Sequence, residues 1–309
     1  MPVLPDIGLR RAAGSSDGEN RTGAAWMILS CLGATVMSVV VRLLADAQIP
    51  TVQMAFLRSV LGIVVLVPLF LRAAARHEGV PVQFSRPWMH VIRGTLFAMA
   101  TVCGFHALAH LPLATATTLF FLAPIFATVF AALFASEKVG PRRWSAVGAA
   151  FIGALVILQP GLAPLDMAML AAVGSALMFA LALLITRPLS EADGAASIML
   201  SSGVVAAAVL GIPALLVWVP VPVAAWGLVV MLVLASQVRM VADVRAYSLA
   251  DAGFLAPFAF MRLLFIAAAG WLMFREGIDA ATLTGAGIIV GASVFIAWRE
   301  ARLKRQNGT

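Results

Sequence analysis

The sequence predicts an all-α integral membrane protein with ten transmembrane helices, arranged as two inverted five-helix repeats. Three observations lead to this prediction: the amount of apolar surface, the placement of the basic residues, and a pattern that occurs twice. Of the 309 residues, 62% are hydrophobic and only 11% are charged. Roughly half of the residues in a soluble protein are apolar, so lipid must surround most of this chain.

Apolar runs of about 20 residues recur along the chain, which is the length that a helix needs to cross a bilayer. Spans in hydrocarbon must be helices or closed barrels, and these runs are too long and too rich in Leu, Ala and Met for barrel strands. The ten predicted spans cover residues 23–45, 50–71, 87–110, 113–135, 142–159, 166–187, 195–219, 223–248, 252–274 and 280–298. Residues 1–22 and 300–309 are polar and basic, and are predicted to be a disordered N-terminal tail and a basic C-terminal tail.

The basic residues predict how the spans are oriented. With a cytoplasmic N-terminus, the Arg and Lys clusters beside the spans fall almost entirely on one face, and Arg275 is the main exception. The positive-inside rule then requires an even number of spans, with both termini on the cytoplasmic side of the inner (plasma) membrane. These topology determinants also account for the net charge of +7, so no nucleic-acid partner is expected.

A pattern of turn, helix, glutamate and glycine-bearing helix occurs twice. The copies run from Leu108 to Glu137 and from Tyr247 to Glu276, and a shift of about 139 positions superposes them. We interpret residues 23–160 and 161–299 as two copies of one unit. Because each copy has an odd number of spans, the second must enter the bilayer upside down relative to the first. Inverted repeats of this kind are typical of alternating-access transporters.

The same residues resemble the drug/metabolite transporter superfamily, in particular its ten-helix type built from two EamA-like halves. The resemblance covers about residues 23–300. It rests on the alanine-rich turns before spans four and nine, the surroundings of Pro124 and Pro257, the two closing glutamates, and the glycines of spans five and ten. It implies a substrate cavity lined by spans 1, 3, 4, 6, 8 and 9. The segment from Ala246 to Arg262 is similar to members that take up S-adenosylmethionine or riboflavin.

Polar and aromatic side chains inside the spans form the candidate substrate site, because ionisable groups in hydrocarbon are costly and often functional. Arg262 and Arg239 are the leading candidates for contact with the substrate. Asp243 is the candidate for proton coupling, since it is the carboxylate that lies most clearly within a span. The remaining candidate residues are Gln237, Phe120, Phe121, Phe258, Phe260, His106 and Tyr247.

Each of these candidates also has a structural interpretation. Arg239 and Asp243 are four residues apart, so they could simply pair along one helix face. The phenylalanines could be core residues. His106 lies one helical turn from His110, which could hold a metal, but helix packing is favoured and no metal site is predicted.

Three other arginines lie within spans. Arg42 and Arg93 are expected to snorkel to the headgroups, with their charged ends at the membrane surface. Arg58 lies deeper in its span, and both internal pairing and substrate contact are open to it.

The sequence therefore predicts a secondary-active, alternating-access transporter of a small organic metabolite. The metabolite is expected to be amino-acid-like or cofactor-like, and the intramembrane arginines suggest that it bears a carboxylate. An S-adenosylmethionine- or riboflavin-type uptake transporter is one alternative, and an intramembrane lipid-modifying enzyme is another. The chain lacks a nucleotide phosphate loop and the H-E-x-x-H motif, so neither enzymatic activity nor a cofactor is expected. The expected partners are the substrate and membrane lipid, and the protein is expected to be a monomer or a homodimer.

Overall fold

The computed structural model describes residues 17–75, 83–134, 141–158, 166–250, 252–277 and 279–306. Within these ranges the chain is helical and contains no strand. The helices are α1 (Asp17–Asp46), α2 (Thr51–Ala75), α3 (Pro87–His110), α4 (Leu113–Phe120), α5 (Ala123–Phe134), α6 (Pro141–Leu158), α7 (Met167–Leu216), α8 (Trp226–Leu249), α9 (Ala252–Phe274) and α10 (Ala280–Gln306), with a 3₁₀ turn at Val223–Ala225. The predicted turn at Glu137 lies outside the described residues.

The predicted all-α membrane class is confirmed. In the described ranges, six segments are long and apolar enough to cross a membrane: Gly18–Asp46, Pro87–His110, Leu113–Phe134, Met167–Thr186, Ser197–Leu216 and Val223–Leu249. Four shorter apolar segments accompany them: Thr51–Val67, Trp144–Leu158, Phe258–Phe274 and Ala280–Phe295. Each predicted span overlaps one of these segments, and ten as the number of membrane crossings stays a prediction.

The predicted fourth span, residues 113–135, is two helices. α4 ends at Phe120, and α5 begins at Ala123. Pro124 has no N–H to donate to the carbonyl of Phe120, so the hydrogen bonds of the α-helix are interrupted at this point. The last turn of α4 tightens instead, with the amide of Phe121 donating to the carbonyl of Thr118 at 3.1 Å. The break lies in the middle of the apolar run, where hydropathy gives no signal.

The predicted sixth and seventh spans imply a connecting turn at residues 190–194. In the structure this turn is reduced to one non-helical residue. α7 continues through it and changes direction at Gly194, whose φ of 77° and ψ of 166° are strained for any residue with a Cβ. We call residues 167–193 the first arm of α7 and residues 195–216 the second arm. The two arms correspond to the predicted sixth and seventh spans.

Helices extend further at both ends of the chain than the apolar pattern predicts. α1 begins at Asp17, inside the predicted disordered tail, and α10 continues to Gln306, inside the predicted basic tail. Both extensions contain Arg and Glu, which favour helix without being apolar. Hydropathy marks the lipid-facing part of a helix and not its ends.

Glycines lie at the closest helix crossings. Gly33 brings α1 against α8, because a Cβ at this position would lie only 3.2 Å from the backbone N of Arg239. Gly153 and Gly285 do the same for α6 and α10, where a Cβ on Gly285 would meet the carbonyl O of Gly153 at 2.7 Å. Small residues let helix backbones approach closely in a membrane, where dispersion and polar contacts drive association.

α3 packs along both arms of α7. Gly104 of α3 lies against Ser175 of the first arm, and Gly94 lies against Val205 of the second arm. α1 packs against α8 and α9, and α4 and α5 both contact α7. The apolar core at the junction of these helices includes the fully buried residues Leu44, Leu108, Leu113, Leu119, Leu122 and Ile125.

Candidate functional site

A charged cluster lies where α1, α8 and α9 meet inside the bundle. Asp243 of α8 accepts a hydrogen bond from the hydroxyl of Ser30 on α1. Nη1 of Arg239 lies 3.5 Å from Oδ2 of the same carboxylate. The pairing of Arg239 with Asp243 along one helix face is therefore confirmed, and Ser30 extends it to a second helix.

Arg262 joins the cluster from α9. Its guanidinium lies within electrostatic range of Arg239, Asp243 and Cys31. The Cys31 thiol donates to the carbonyls of Phe258, at 3.5 Å, and Ala259, at 3.7 Å. This contact holds α1 against the turn of α9 that precedes Arg262, so Arg262 lies on a helix that packs against α1, whose Ser30 contacts Asp243.

Two donors in this cluster are buried without an acceptor. Among the described residues, no hydrogen-bond partner exists for Nε of Arg239 or for Nε of Arg262. An unsatisfied buried donor costs about 1–3 kcal/mol, and more when the group is charged. Neighbouring cationic donors with unused hydrogen-bonding capacity are suited to hold the oxygen atoms of an anionic ligand.

The predicted aromatic residues fall into two groups. The rings of Phe121 and Phe260 lie 5.0 Å apart, and they connect the break between α4 and α5 to the turn of α9 that carries Arg262. Phe258 packs against Phe254 at 5.5 Å and against a small apolar cluster, and Phe120 packs against the main core. Phe260 lies two residues before Arg262 on α9, whereas Phe120, Phe121 and Phe258 have core contacts.

The other predicted site residues have separate surroundings. Nε2 of Gln237 donates to the carbonyl of Gly62 on α2 at 3.0 Å, which ties α8 to α2. Tyr247 lies one turn after Asp243 and is 53% exposed. The His106 ring lies 4.3 Å from the ring of His110, whose Nδ1 donates to the His106 carbonyl at 2.9 Å.

His106 is thus engaged with its helical neighbour and has no contact with the charged cluster. In the described part of the chain, no three His, Cys, Asp or Glu side chains come together as a set of metal ligands.

Sequence reasoning left three residues of this region out of the candidate set. Ser30 and Cys31 gave no signal, because small polar residues are common in apolar helices. Arg58 did give one, since it lies inside a span. Its guanidinium contacts the rings of Phe97, at 5.6 Å, and Phe105, at 6.0 Å.

A second polar cluster replaces the expected snorkelling of Arg42. Nη1 of Arg42 donates to the carbonyls of Leu108, Ala109 and Leu111 at 3.4, 3.0 and 3.1 Å. Its Nη2 lies 3.8 Å from Glu276, whose other oxygen accepts from the amide of Leu113 at 2.7 Å. A cation at the C-terminus of α3 and an anion at the N-terminus of α4 both complement the helix dipoles. The pair ties α1 to the α3–α4 turn and the α9–α10 turn.

A third polar cluster lies at the bend of α7. The Asp193 carboxylate accepts from the backbone N–H of Ser85 at 2.9 Å and from its hydroxyl, and lies 3.0 Å from Nε2 of His90. These hydrogen bonds from Ser85 and His90 lower the pKa of Asp193 to about 2. The other ring nitrogen of His90 lies 2.7 Å from the hydroxyl of Ser201. The cluster fastens the start of α3 to both arms of α7.

Arg93 also has internal partners where snorkelling was expected. Its Nε donates to the hydroxyl of Thr186 at 2.7 Å, and its Nη1 donates to the hydroxyl of Ser202. An open groove of about 350 Å³ near this region is lined mainly by apolar side chains, with His90 and Ser201 at its wall. A further groove lies at Trp271, Leu272 and Arg275. Both grooves are separate from the charged cluster, so side-chain chemistry identifies the candidate site.

The comparisons with known proteins agree with this picture. The model of the EamA-like transporter family matches residues 21–159. A riboflavin transporter of Rhizobium johnstonii is 31% identical, over 92% of this chain and 93% of the relative. The chain belongs to the EamA-like transporter family. The resemblance to the drug/metabolite transporter superfamily is therefore confirmed, and the protein is a multi-pass membrane protein.

Other relatives in the superfamily handle different molecules. An S-adenosylmethionine uptake transporter of Rickettsia bellii is 27% identical, over 91% of this chain and 94% of the relative. A pseudopaline exporter of Pseudomonas aeruginosa is 31% identical, over 89% and 96%. A solved crystal structure has the same fold, with a TM-score of 0.60 and 17% identity over 91% of this chain and 99% of the other. The EamA-type fold thus serves both uptake and export.

Proposed function

We propose that this EamA-family protein is a secondary-active carrier that moves a small anionic metabolite across the plasma membrane by alternating access. The observation that carries the proposal is the charged cluster of Arg239, Arg262 and Asp243, with buried donors that have no acceptor among the described residues. Maintaining such charges in a membrane is costly, and the cost is accounted for if they bind a substrate. A carboxylate or another anionic group is the natural ligand for the two guanidinium groups.

The pattern of helix contacts supports two related halves, residues 23–160 and 161–299. The first helix of the first half, α1, packs against α8 and α9 of the second half. Correspondingly, α7, whose first arm opens the second half, packs against α3, α4 and α5 of the first half. The fifth helices, α6 and α10, pack against each other. This exchange symmetry supports alternating access, because the two end states are then related by swapping the halves.

Asp243 serves in this proposal as the coupling group. When ionised, it holds Arg239 at 3.5 Å and accepts from Ser30. Protonation of the carboxylate removes the ion pair and releases the Arg239 guanidinium for an incoming anion. The proton and the substrate would therefore bind together and cross in the same direction, with Phe121 and Phe260 beside the site. Gln237 and Tyr247 would line the approach along α8.

A second candidate is the uptake of a cofactor-like metabolite. The names of two relatives, a riboflavin transporter and an S-adenosylmethionine uptake transporter, favour it. Riboflavin is uncharged, whereas S-adenosylmethionine combines a carboxylate with a cationic sulfonium. Transport of riboflavin that does not depend on Arg262 would favour this candidate over an anion carrier.

The test is uptake of labelled metabolites into proteoliposomes that contain the purified protein. The panel contains neutral, zwitterionic and anionic compounds. We expect uptake of an anionic compound, driven by an inward proton gradient and reduced at least tenfold in Arg262→Gln and Arg239→Gln. Arg93→Gln is the matched control, because its guanidinium has partners outside the cluster. Uptake that is unaffected by both cluster substitutions would refute the proposed site.

A further inference from the structure

Arg58 brings a third guanidinium to the charged cluster. It lies on α2, and its charge is within electrostatic range of Arg239 on α8. One turn further along α2, the carbonyl of Gly62 accepts a hydrogen bond from Gln237 of α8 at 3.0 Å, which ties the two helices together. Arg239 is in turn within electrostatic range of Arg262. Arg239 on α8 thus links the arginine of α2 with the arginine of α9.

One carboxylate faces these three cations. Arg239 pairs with Asp243, whereas no ion pair joins Arg58 or Arg262 to a carboxylate within the described residues. With all four groups ionised, Arg58, Arg239, Arg262 and Asp243 sum to two positive charges. Arg42 and Arg93 differ, because carbonyl or hydroxyl oxygens accept their hydrogen bonds.

The contacts of Arg58 hold its side chain without neutralising it. The rings of Phe97 and Phe105 lie 5.6 and 6.0 Å from the guanidinium carbon. Cation–π contact stabilises a guanidinium through its face, and the N–H groups point outward in the plane. An arginine that is held in this way can still bind a carboxylate or phosphate through two parallel hydrogen bonds.

We propose that the cargo of this carrier is a dianion, with one anionic group bound by Arg239 and Arg262 and the other by Arg58 between Phe97 and Phe105. The inference rests on the transport function proposed above and adds the charge of the substrate to it. Two negative charges balance the cluster while Asp243 is ionised, and they offset two of the three arginine charges once Asp243 has taken up the coupling proton. The chemical class is a small metabolite with two carboxylates or with one phosphate monoester. Arg58 is the residue that would distinguish a dianion from a monoanion of the same size.

The test measures binding to the full-length protein in lipid nanodiscs, as the rise in unfolding temperature with ligand concentration at constant ionic strength. The probes are succinate and its monoanionic counterpart butyrate, and glycerol 3-phosphate and its neutral counterpart glycerol. We expect at least one dianion to bind ten times more tightly than its counterpart. The two pairs distinguish a dicarboxylate from a phosphate ester.

Substitutions then test the role of Arg58. Arg58→Gln should weaken dianion binding at least tenfold and leave butyrate binding unchanged, whereas Arg93→Gln should change neither. Arg58→Lys keeps the charge but loses the planar donor set, so it should retain part of the preference. Unfolding temperatures without ligand identify any variant that has lost its fold. If Arg58→Gln does not fold, the dianion preference of Arg58→Lys is compared with that of the wild type instead.

Three results would overturn the dianion inference: neither dianion binds, neither dianion binds more tightly than its counterpart, or folded Arg58→Gln keeps the wild-type preference. The carrier proposal fails separately. Binding of a dianion that is never transported would refute the carrier and leave the charge inference intact. Transport of a neutral or singly charged metabolite that no dianion inhibits would refute the dianion inference and leave the carrier proposal intact.

Discussion

The ion pair of Arg239 with Asp243 gives the sharpest test of the charged cluster. Exposed ion pairs contribute about 0.2–1 kcal/mol, whereas removing one partner of a buried pair costs about 3–5 kcal/mol. The two side chains are 24% and 33% exposed and lie 3.5 Å apart. We therefore expect an intermediate coupling energy of about 1–2 kcal/mol between them, in the range that partly buried pairs span.

A double-mutant cycle with Arg239→Gln, Asp243→Asn and the double variant measures this coupling. Unfolding free energies come from denaturation in mixed detergent micelles. Asp243→Asn should be the more damaging single change, because it leaves Arg239 beside the cationic Arg262 and Arg58 with no counterion. The double variant should recover part of that loss, since both charges are then absent.

The stability and transport readouts of the cycle should diverge. The double variant regains stability but lacks a substrate-binding guanidinium, so transport should stay low. Additive effects of the two single substitutions, within about 0.5 kcal/mol, would show that the groups do not interact and would refute the reasoning. Restored transport in the double variant would remove Arg239 from the binding site.

Three further predictions concern the packing and polar contacts of the fold. Gly285→Ala should lower the unfolding free energy by about 1–3 kcal/mol, because the added Cβ would meet the carbonyl O of Gly153 at 2.7 Å. Gly287→Ala is the control and should be neutral or slightly stabilising, because nothing lies within 4 Å of its Cβ. Equal unfolding temperatures for the two variants would contradict the α6–α10 contact. Arg42→Ala should lower the unfolding free energy by about 2–3 kcal/mol, since the hydrogen bonds to the end of α3 and the contact with Glu276 are lost together. An unchanged unfolding free energy in micelles would contradict the role of Arg42 in holding α1 against these two turns. Asp193→Asn should lower the unfolding temperature near neutral pH. Because the folded-state pKa of about 2 is below the ordinary value near 4, the difference from wild type should be complete above pH 4 and should shrink towards pH 2; a difference that is constant over this range would refute the role of the ionised carboxylate.

The positions of the membrane helices could be predicted because apolar length alone specifies them. The break after Phe120 and the bend at Gly194 could not, since both lie where hydropathy does not distinguish a helix from a turn. Pro124 gave a local signal for the first. At Gly194, one residue with positive φ takes the place of a five-residue turn.

The sequence could predict only those contacts of the charged site that are local in the chain. Arg239 and Asp243 share a helix face at a spacing of four residues, so their pairing follows from periodicity. Arg42 and Arg93 find acceptors on other helices, tens of residues away in the sequence, and depth in the membrane alone suggested the headgroups instead. The contacts of Ser30 and Arg58 are likewise tertiary, which is why neither residue entered the predicted site.

The alternating-access mechanism depends most on the two halves crossing the membrane in opposite orientations. Two single-cysteine variants, Lys138→Cys and Gly277→Cys, test this in a background with Cys31→Ala and Cys103→Ala. A membrane-impermeant maleimide is applied to intact cells and then to permeabilised cells. An inverted repeat predicts that position 277 reacts from outside and that position 138 reacts only after permeabilisation. Labelling of both positions from the same side would contradict the inverted repeat, and the alternating-access mechanism with it.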